Sequence, residues 1–179
     1  MSAKKTMVFF GLLVLVSGVS FSDTPRETNA KVEAALDRFH SEVKAADRLL
    51  AEAKAVLVLP EVIKGGFILG GEYGEGSLLI GQKVEAYYNV ASASLGLTAG
   101  GEMKDIIVLF FSTDALKKFR ERKGWEAGVD GNIAVLKQGD GGTLNATHIN
   151  DPIVGFVVGV KGLLVDASLK GSKFSVMKK

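Results

Sequence analysis

Apolar residues recur along residues 26–54 at the spacing of an α-helix. The repeat is alternately four and three positions: Val32, Leu36, Phe39, Val43, Ala46, Leu50 and Ala53. Such a repeat forms one stripe on a helix and excludes a strand, whose side chains alternate every two residues. We therefore predict one long helix over residues 26–54, with Thr28 or Asn29 as its N-cap. Charges of both signs on its other faces favour packing on the protein's own core over contact with an anionic bilayer.

After Lys54 the pattern changes to that of β-strands. Apolar runs and alternations predict strands at residues 55–59 (closed by Pro60), 67–69, 78–80, 91–99, 106–111, 129–136, 153–160 and 163–170. The glycine-rich stretch 71–76 predicts a hairpin turn between two of them. Glycines within strands permit bends and close backbone approach, so we expect a strongly curved sheet. The predicted fold class is α+β: a curved antiparallel sheet or barrel of about seven to eight strands, with the long N-terminal helix and one short basic helix.

The short basic helix follows the strand at 106–111. Ser112 or Thr113 can cap its start, and Gly124 can end it. Leu116 and Phe119 are expected to point inward. Its other positions carry five cations, Lys117, Lys118, Arg120, Arg122 and Lys123.

The first 22 residues have the organisation of a secretory signal peptide. Lys4 and Lys5 precede an apolar run at 7–16, and small residues follow up to Ser22. A run of about ten apolar residues is too short for a bilayer span, which needs about 20. We predict a cleaved signal peptide at 1–22 and a single domain at 23–179, exported to the periplasm. An uncleaved signal anchor is the alternative.

Composition excludes several classes of protein. The chain has 179 residues and no cysteine, which excludes disulfide scaffolds, zinc fingers, thiol nucleophiles and a lipid-anchored N-terminal cysteine. Residues 1–22 hold two of the 22 basic residues and none of the 20 acidic ones, so the rest of the chain is close to neutral. Global attraction to nucleic acid is therefore not expected, and an anionic partner must be met by a local patch.

Few residues suggest catalysis. The two histidines are His40, on the polar side of the long helix, and His148, three residues before Asp151. Neither spacing is specific for a metal site or an acid–base pair. No zinc-protease, nucleophile-elbow or phosphate-loop motif is present. We expect no enzymatic activity, no metal and no cofactor.

The basic helix is the strongest candidate for a binding surface. The single tryptophan, Trp125, follows its cations directly, and cations around an amphipathic aromatic ring suit an anionic headgroup surface. The predicted lipid-binding residues are Lys117, Lys118, Arg120, Arg122, Lys123 and Trp125. In the alternative interpretation the cations complement the helix dipole and Trp125 belongs to the core. A second basic cluster, of less weight, comprises Lys170, Lys173, Lys178 and Lys179.

Several segments in order resemble the SYLF family of bacterial exported proteins and eukaryotic trafficking and actin-patch proteins. They are residues 53–60 (AKAVLVLP), 64–71 (KGGFILGG), 74–76 (GEG), 93–102 (ASLGLTAGGE) and 161–172 (KGLLVDASLKGS). The resemblance spans about residues 30–175, with Tyr87-Tyr88-Asn89 where many members carry Trp-Ser-Pro. It implies lipid binding: eukaryotic relatives bind phosphoinositides, and some bind actin filaments. For an exported protein, anionic glycerophospholipid is the corresponding ligand.

Together these observations predict a non-enzymatic exported protein that binds anionic phospholipid through a basic surface. Two alternatives remain open. One is a carrier that encloses an apolar ligand in its curved sheet. The other is an envelope structural or protein-interaction module, suggested by the small-residue face Ser92, Ser94, Gly96 and Thr98.

Overall fold

The computed structural model describes residues 22–66, 69–95, 100–137, 151–162 and 168–179. These residues form helices α1 (Pro25–Glu42), α2 (Ala46–Glu52) and α3 (Thr113–Glu121), and strands β1 (Ala55–Gly66), β2 (Leu69–Ile80), β3 (Lys83–Leu95), β4 (Gly100–Phe110), β5 (Gly124–Glu126), β6 (Ala134–Lys137), β7 (Ile153–Gly162) and β8 (Lys173–Met177). The strands form one sheet in the order β5-β8-β3-β2-β1-β4-β7-β6. Neighbours are antiparallel except β6 and β7, which are parallel. The sheet curls into a half-barrel, which confirms the predicted α+β class.

Helices pack against both faces of the sheet. On its inner face, Phe119 of α3 packs with Trp125, Phe174 and the apolar side chains of β1 and β4. On its outer face, α1 and α2 pack against the alternate side chains of β1, β4 and β7, where the ring of Phe39 meets that of Phe156. Strand β1 is therefore buried on both sides, which explains its nearly continuous apolar run.

The predicted long helix is in fact two helices. Helix α1 begins at a capping box in which Thr24 and Glu27 satisfy each other's backbone amides, so the predicted caps Thr28 and Asn29 are wrong. It ends at Glu42, where Val43 takes an extended backbone conformation. The chain turns there, and α2 returns to the same face of the sheet with Ala46 buried. The break preserves the apolar spacing, so periodicity alone could not reveal it.

Pro60 does not end β1 as predicted. The strand continues to Gly66 through a bulge, because Leu59 is opposite Ile106 while the next paired residue, Val62, is opposite Lys104. A proline is tolerated at such a position since no ladder hydrogen bond is required of it there.

The prediction of a hairpin turn at residues 71–76 is also wrong. These residues lie within β2, and the turn is made by Gly81 and Gln82, both with positive φ (53° and 67°). The glycines of β2 instead allow close approach to the β1 bulge. A Cβ atom built on Gly76 would lie 1.8 Å from the carbonyl oxygen of Val58.

The predictions for the short helix and for the strands at the end of the chain were partly right. Ser112 caps α3 by accepting a hydrogen bond from the amide of Ala115, and Leu116 and Phe119 are buried as predicted. Gly124 lies in β5 rather than ending the helix. Strand β8 was not predicted, and most of the alternation at 163–170 lies outside the described residues.

We predict that Gly76→Ala lowers the free energy of unfolding by about 1–3 kcal/mol, because the added methyl group overlaps the backbone of β1. The control is Gly71→Ala on the same strand, whose Cβ would meet only the Ser92 carbonyl oxygen at 3.7 Å. That variant should be neutral or gain up to about 1 kcal/mol. Urea unfolding measures both; equal effects would contradict the assigned register.

Candidate lipid-contact surfaces

The predicted signal peptide lies almost entirely outside the described residues, which begin at Ser22. The hydroxyl of Ser22 donates a hydrogen bond to the Glu75 carboxylate (3.0 Å), so the chain enters the domain on the outer face of β2. No helix among the described residues has the length and apolar character needed to cross a bilayer.

The cations predicted on the basic helix are exposed, but most face an acid. The pairs are Lys117–Glu121 (3.8 Å), Lys118–Asp114 (2.8 Å), Arg120–Glu85 (2.6 Å) and Arg122–Asp130 (2.8 Å). The hydrogen bond from Lys118 holds the pKa of Asp114 below its ordinary value. Exposed ion pairs of this kind are worth about 0–1 kcal/mol, so a phosphate group can compete for these cations. Lys123 is exposed and forms no ion pair with another described residue.

Trp125 lies in the core and not on the basic surface. Helix α3 ends at Glu121, so the tryptophan is on β5 instead of continuing the helical stripe of Lys118 and Arg122. Its side chain is among the buried ones, with ring centroids 5.5 Å from Phe119 and 6.0 Å from Phe174. This matches the alternative interpretation of Trp125, and the headgroup surface predicted around its ring is absent from this conformation.

The second basic cluster is dispersed by the fold. The ammonium group of Lys179 lies 2.7 Å from the Glu75 carboxylate, with the two side chains only 3% and 6% exposed. It also donates hydrogen bonds to the Asp23 carbonyl and the Thr28 hydroxyl. Lys179 therefore fastens the C-terminal strand to β2 and to the start of α1, whereas Lys173 is exposed on the outer face of β8.

An exposed apolar row crosses the outer face beyond α1. Its members are directly opposite one another on adjacent strands in the order Lys173, Ala91, Tyr73, Ile63, Met103 and Lys161, and we call this the outer row. Ile63 is 59%, Tyr73 48% and Met103 36% exposed. Burial and a hydrogen bond to Glu75 raise the pKa of Tyr73 to about 12, so its phenol stays neutral.

The charges nearest the outer row favour an anionic partner. Three of the acids beside it are each paired with a cation, Glu75 with Lys179, Glu61 with Lys31 and Asp105 with Arg38. A fourth acid, Glu126 of β5, is directly opposite Lys173. Lys161 and Lys173, at the two ends, form no ion pair with another described residue. Sequence reasoning missed this surface because it ended β1 at Pro60 and assigned residues 71–76 to a turn. No periodic signal marks the row in the sequence, because Ile63 stands between the apolar Val62 and the charged Lys64.

A buried charge network occupies the inner face behind the outer row. The ammonium group of Lys104 lies 2.9 Å from Glu72 and 3.3 Å from Glu102, with all three side chains at most 3% exposed. On β1, Lys64 is directly opposite Glu72 of β2 and Glu102 of β4. Two lysines and two glutamates thus compensate each other where no solvent reaches, which is how buried charges are tolerated.

The histidines do not form a site among the described residues. His40 is half-exposed, and its Nδ1 lies 2.9 Å from Asp47, which links α1 to α2. His148 lies outside the described residues, as do Gly96 and Thr98 of the predicted small-residue face. Within the described part of the chain, no group of three or more His, Asp or Glu side chains is placed to hold a metal ion.

Comparison with known families finds a match over the C-terminal part of the chain. The family model described as Ysc84, "Las17-binding protein actin regulator", matches residues 91–179, from the middle of β3 to the end of the chain. This stretch contains two of the five SYLF-like segments, at 93–102 and 161–172. No curated protein matches the chain.

Because Trp125 is the only tryptophan, its fluorescence reports on the core directly. We predict a blue-shifted emission that iodide quenches weakly and that does not change when anionic liposomes are added. Trp125→Ala should cost about 3–5 kcal/mol of unfolding free energy, as for other large buried aromatic residues. A red-shifted, readily quenched emission in the folded protein would contradict the core position.

Replacing Lys179 should make stability less dependent on pH. Burial raises the pKa of Glu75, but hydrogen bonds from Lys179, Tyr73 and Ser22 outweigh it and lower the net value below 4.5. A lowered carboxyl pKa stabilises the fold above the unfolded value, and this contribution is lost as pH falls through the folded pKa. Lys179→Met should therefore cost about 3 kcal/mol at neutral pH, and the deficit should shrink in acid.

Urea unfolding across a pH series measures this effect, with Lys178→Met at the neighbouring exposed lysine as the control. The same deficit at every pH would show that the loss comes from packing and not from the ion pair.

Proposed function

Residues 91–179 make this chain a member of the Ysc84 (SYLF) family, and we propose that it is a non-enzymatic exported protein that associates with anionic phospholipid. The export part of the proposal rests on the signal-like composition of residues 1–22. The lipid part rests on exposed cations and exposed apolar side chains, the two features that hold a protein on an anionic bilayer.

The cations of α3 supply the electrostatic contact in this proposal. The exposed cations are Lys117, Lys118 and Arg120 on α3 and Arg122 and Lys123 directly after it. Each cation near an anionic membrane surface contributes about 1 kcal/mol. Glu121 and Asp114, the acidic partners of Lys117 and Lys118, are themselves exposed, so these two lysines can exchange a carboxylate for a lipid phosphate without a change in the fold.

The outer row is a second surface that suits the same function. It combines three exposed apolar side chains with a lysine at each end, so an apolar contact would be reinforced by phosphate contacts. Contiguous exposed apolar side chains commonly mark a membrane or protein contact. Because α3 covers the inner face of the sheet and the row lies on the outer face, one flat bilayer can contact only one of them at a time.

Cosedimentation of the purified protein with neutral and with anionic liposomes, at low and high salt, tests the function. We expect binding to anionic liposomes only. If α3 makes the contact, Lys118→Glu/Arg122→Glu should weaken binding by about 30-fold or more, since two contributions of about 1 kcal/mol are removed. The matched control is Lys44→Glu/Arg48→Glu, which makes the same charge change at an exposed residue between α1 and α2 and at one on α2.

The variant Ile63→Gln/Met103→Gln tests the outer row without changing charge. Loss of binding in this variant, with the α3 variant unchanged, would move the contact to the outer row. The absence of native cysteine also allows a fluorescent label on Lys118→Cys or Ile63→Cys, whose emission should shift to the blue at whichever surface enters the bilayer. If the unaltered protein binds neither kind of liposome, the lipid function is wrong.

A further inference from the structure

Helices α1 and α2 leave part of the outer face uncovered beside the β2–β3 hairpin. The uncovered part is a groove of about 820 Å³, which is the size of a ligand or peptide site. Its floor is a cross-strand apolar row: Val56 on β1 is opposite Leu79 on β2, which is opposite Val84 on β3. Val84 is 39% exposed, so this end of the sheet has no helix above it.

The sides of the groove are apolar near the floor. Val32 and Leu36 of α1 form one side, and Leu50 of α2 closes one end. Leu36, Leu50 and Leu79 are only partly buried although they adjoin the core beneath α1. An apolar occupant would therefore bury surface that is now in contact with water.

The rim of the groove is acidic because α1 sorts its charges by face. Two of its three cations, Lys31 and Arg38, turn toward the sheet, where they pair with Glu61 and Asp105, and the third, Arg26, is exposed in the first turn. Its acids Glu33 and Asp37 are exposed along the groove and form no ion pair with another described residue. Asp47 of α2 adds a third carboxylate beside His40.

No lysine or arginine is among the described residues that line the groove. We call this feature, with its floor at Val56, Leu79 and Val84 and its rim at Glu33, Asp37 and Asp47, the acidic groove.

We propose that the acidic groove binds a cationic amphipathic helix of a partner protein. The rim repels phosphate and carboxylate groups, so a phospholipid or fatty acid is disfavoured, whereas lysine or arginine side chains would meet the carboxylates of Glu33 and Asp37. An apolar stripe on the same helix would contact the floor, which is the usual mode of helix-in-groove recognition.

The dimensions agree with this occupant. The groove follows α1 from Asn29 to His40, a length of about 16 Å or three helical turns at 1.5 Å per residue. A helix about 10 Å across, half embedded over that length, displaces roughly 600 Å³, which the groove can accommodate. The bound helix would complete the helical layer over the outer face. This proposal does not depend on lipid binding.

A designed peptide of leucine and lysine, with the two residue types on opposite faces of a three- to four-turn helix, is the probe. Fluorescence anisotropy of the labelled peptide measures its affinity for the purified protein. We expect saturable binding, at least tenfold tighter than that of a scrambled peptide of the same composition. Glu33→Lys/Asp37→Lys should weaken binding at least tenfold, and Val84→Ser should weaken it measurably.

The charge-matched control is Glu52→Lys/Glu121→Lys, at two exposed acids outside the groove, which should leave affinity within about twofold. Circular dichroism and urea unfolding check that each variant is folded. The proposal is overturned if the two peptides bind equally, if the control and rim variants lose affinity alike, or if Val84→Ser has no effect. Self-association that is abolished by the rim variant, without peptide binding, would assign the groove to a second copy and also overturn it.

Discussion

The buried carboxylate of Asp105 connects α1, the β1 bulge and β7, and the position of α1 determines which parts of the outer face stay exposed. It accepts hydrogen bonds from the Arg38 guanidinium of α1 (2.5 and 3.1 Å) and from the Glu61 amide in the β1 bulge (2.9 Å). Its side chain is 3% exposed, so the loss of either partner would leave a poorly solvated charge. Gly159 packs against the pair with a positive φ, where any Cβ would lie 2.8 Å from the Asp105 carboxylate. The positions of α1, the bulge and β7 thus depend on one another.

The position of α1 in turn creates two open regions of opposite character. Along one flank of α1 the outer row remains uncovered, with Lys31, Arg38 and Lys179 paired to the acids beside it. Along its other flank the acidic groove remains uncovered, because Lys31 and Arg38 pair with acids of the sheet while Glu33 and Asp37 do not face it. Over the middle turns of α1, the fold therefore places cations on one flank and acids on the other. Under the two proposals these surfaces would bind different partners, an anionic bilayer and a cationic helix.

Some features of the candidate sites were predicted from the sequence and others were not. The helix that carries Lys117, Lys118 and Arg120 was located correctly, because a capping serine and an inward pair of apolar residues are local signals. The ion pair of Arg120 with Glu85 and the position of Trp125 could not be predicted, since both depend on which strands β5 and β8 adjoin. The outer row was missed for the same reason: Ile63, Tyr73 and Met103 are distant in sequence and meet only through strand register.

The sequence by itself determined the α+β class, the apolar stripe of the N-terminal helices, the apolar strands of the core and the family resemblance, because each of these depends on periodicity or short motifs. Tertiary structure decided the rest. Strand β1 continues past Pro60 through a bulge, and the glycines of β2 pack against that bulge. The predicted long helix ends before Val43, and Lys104 is buried with Glu72 and Glu102. These outcomes depend on which strands lie side by side and at what register, and pairing between distant segments leaves no periodic signal in the chain.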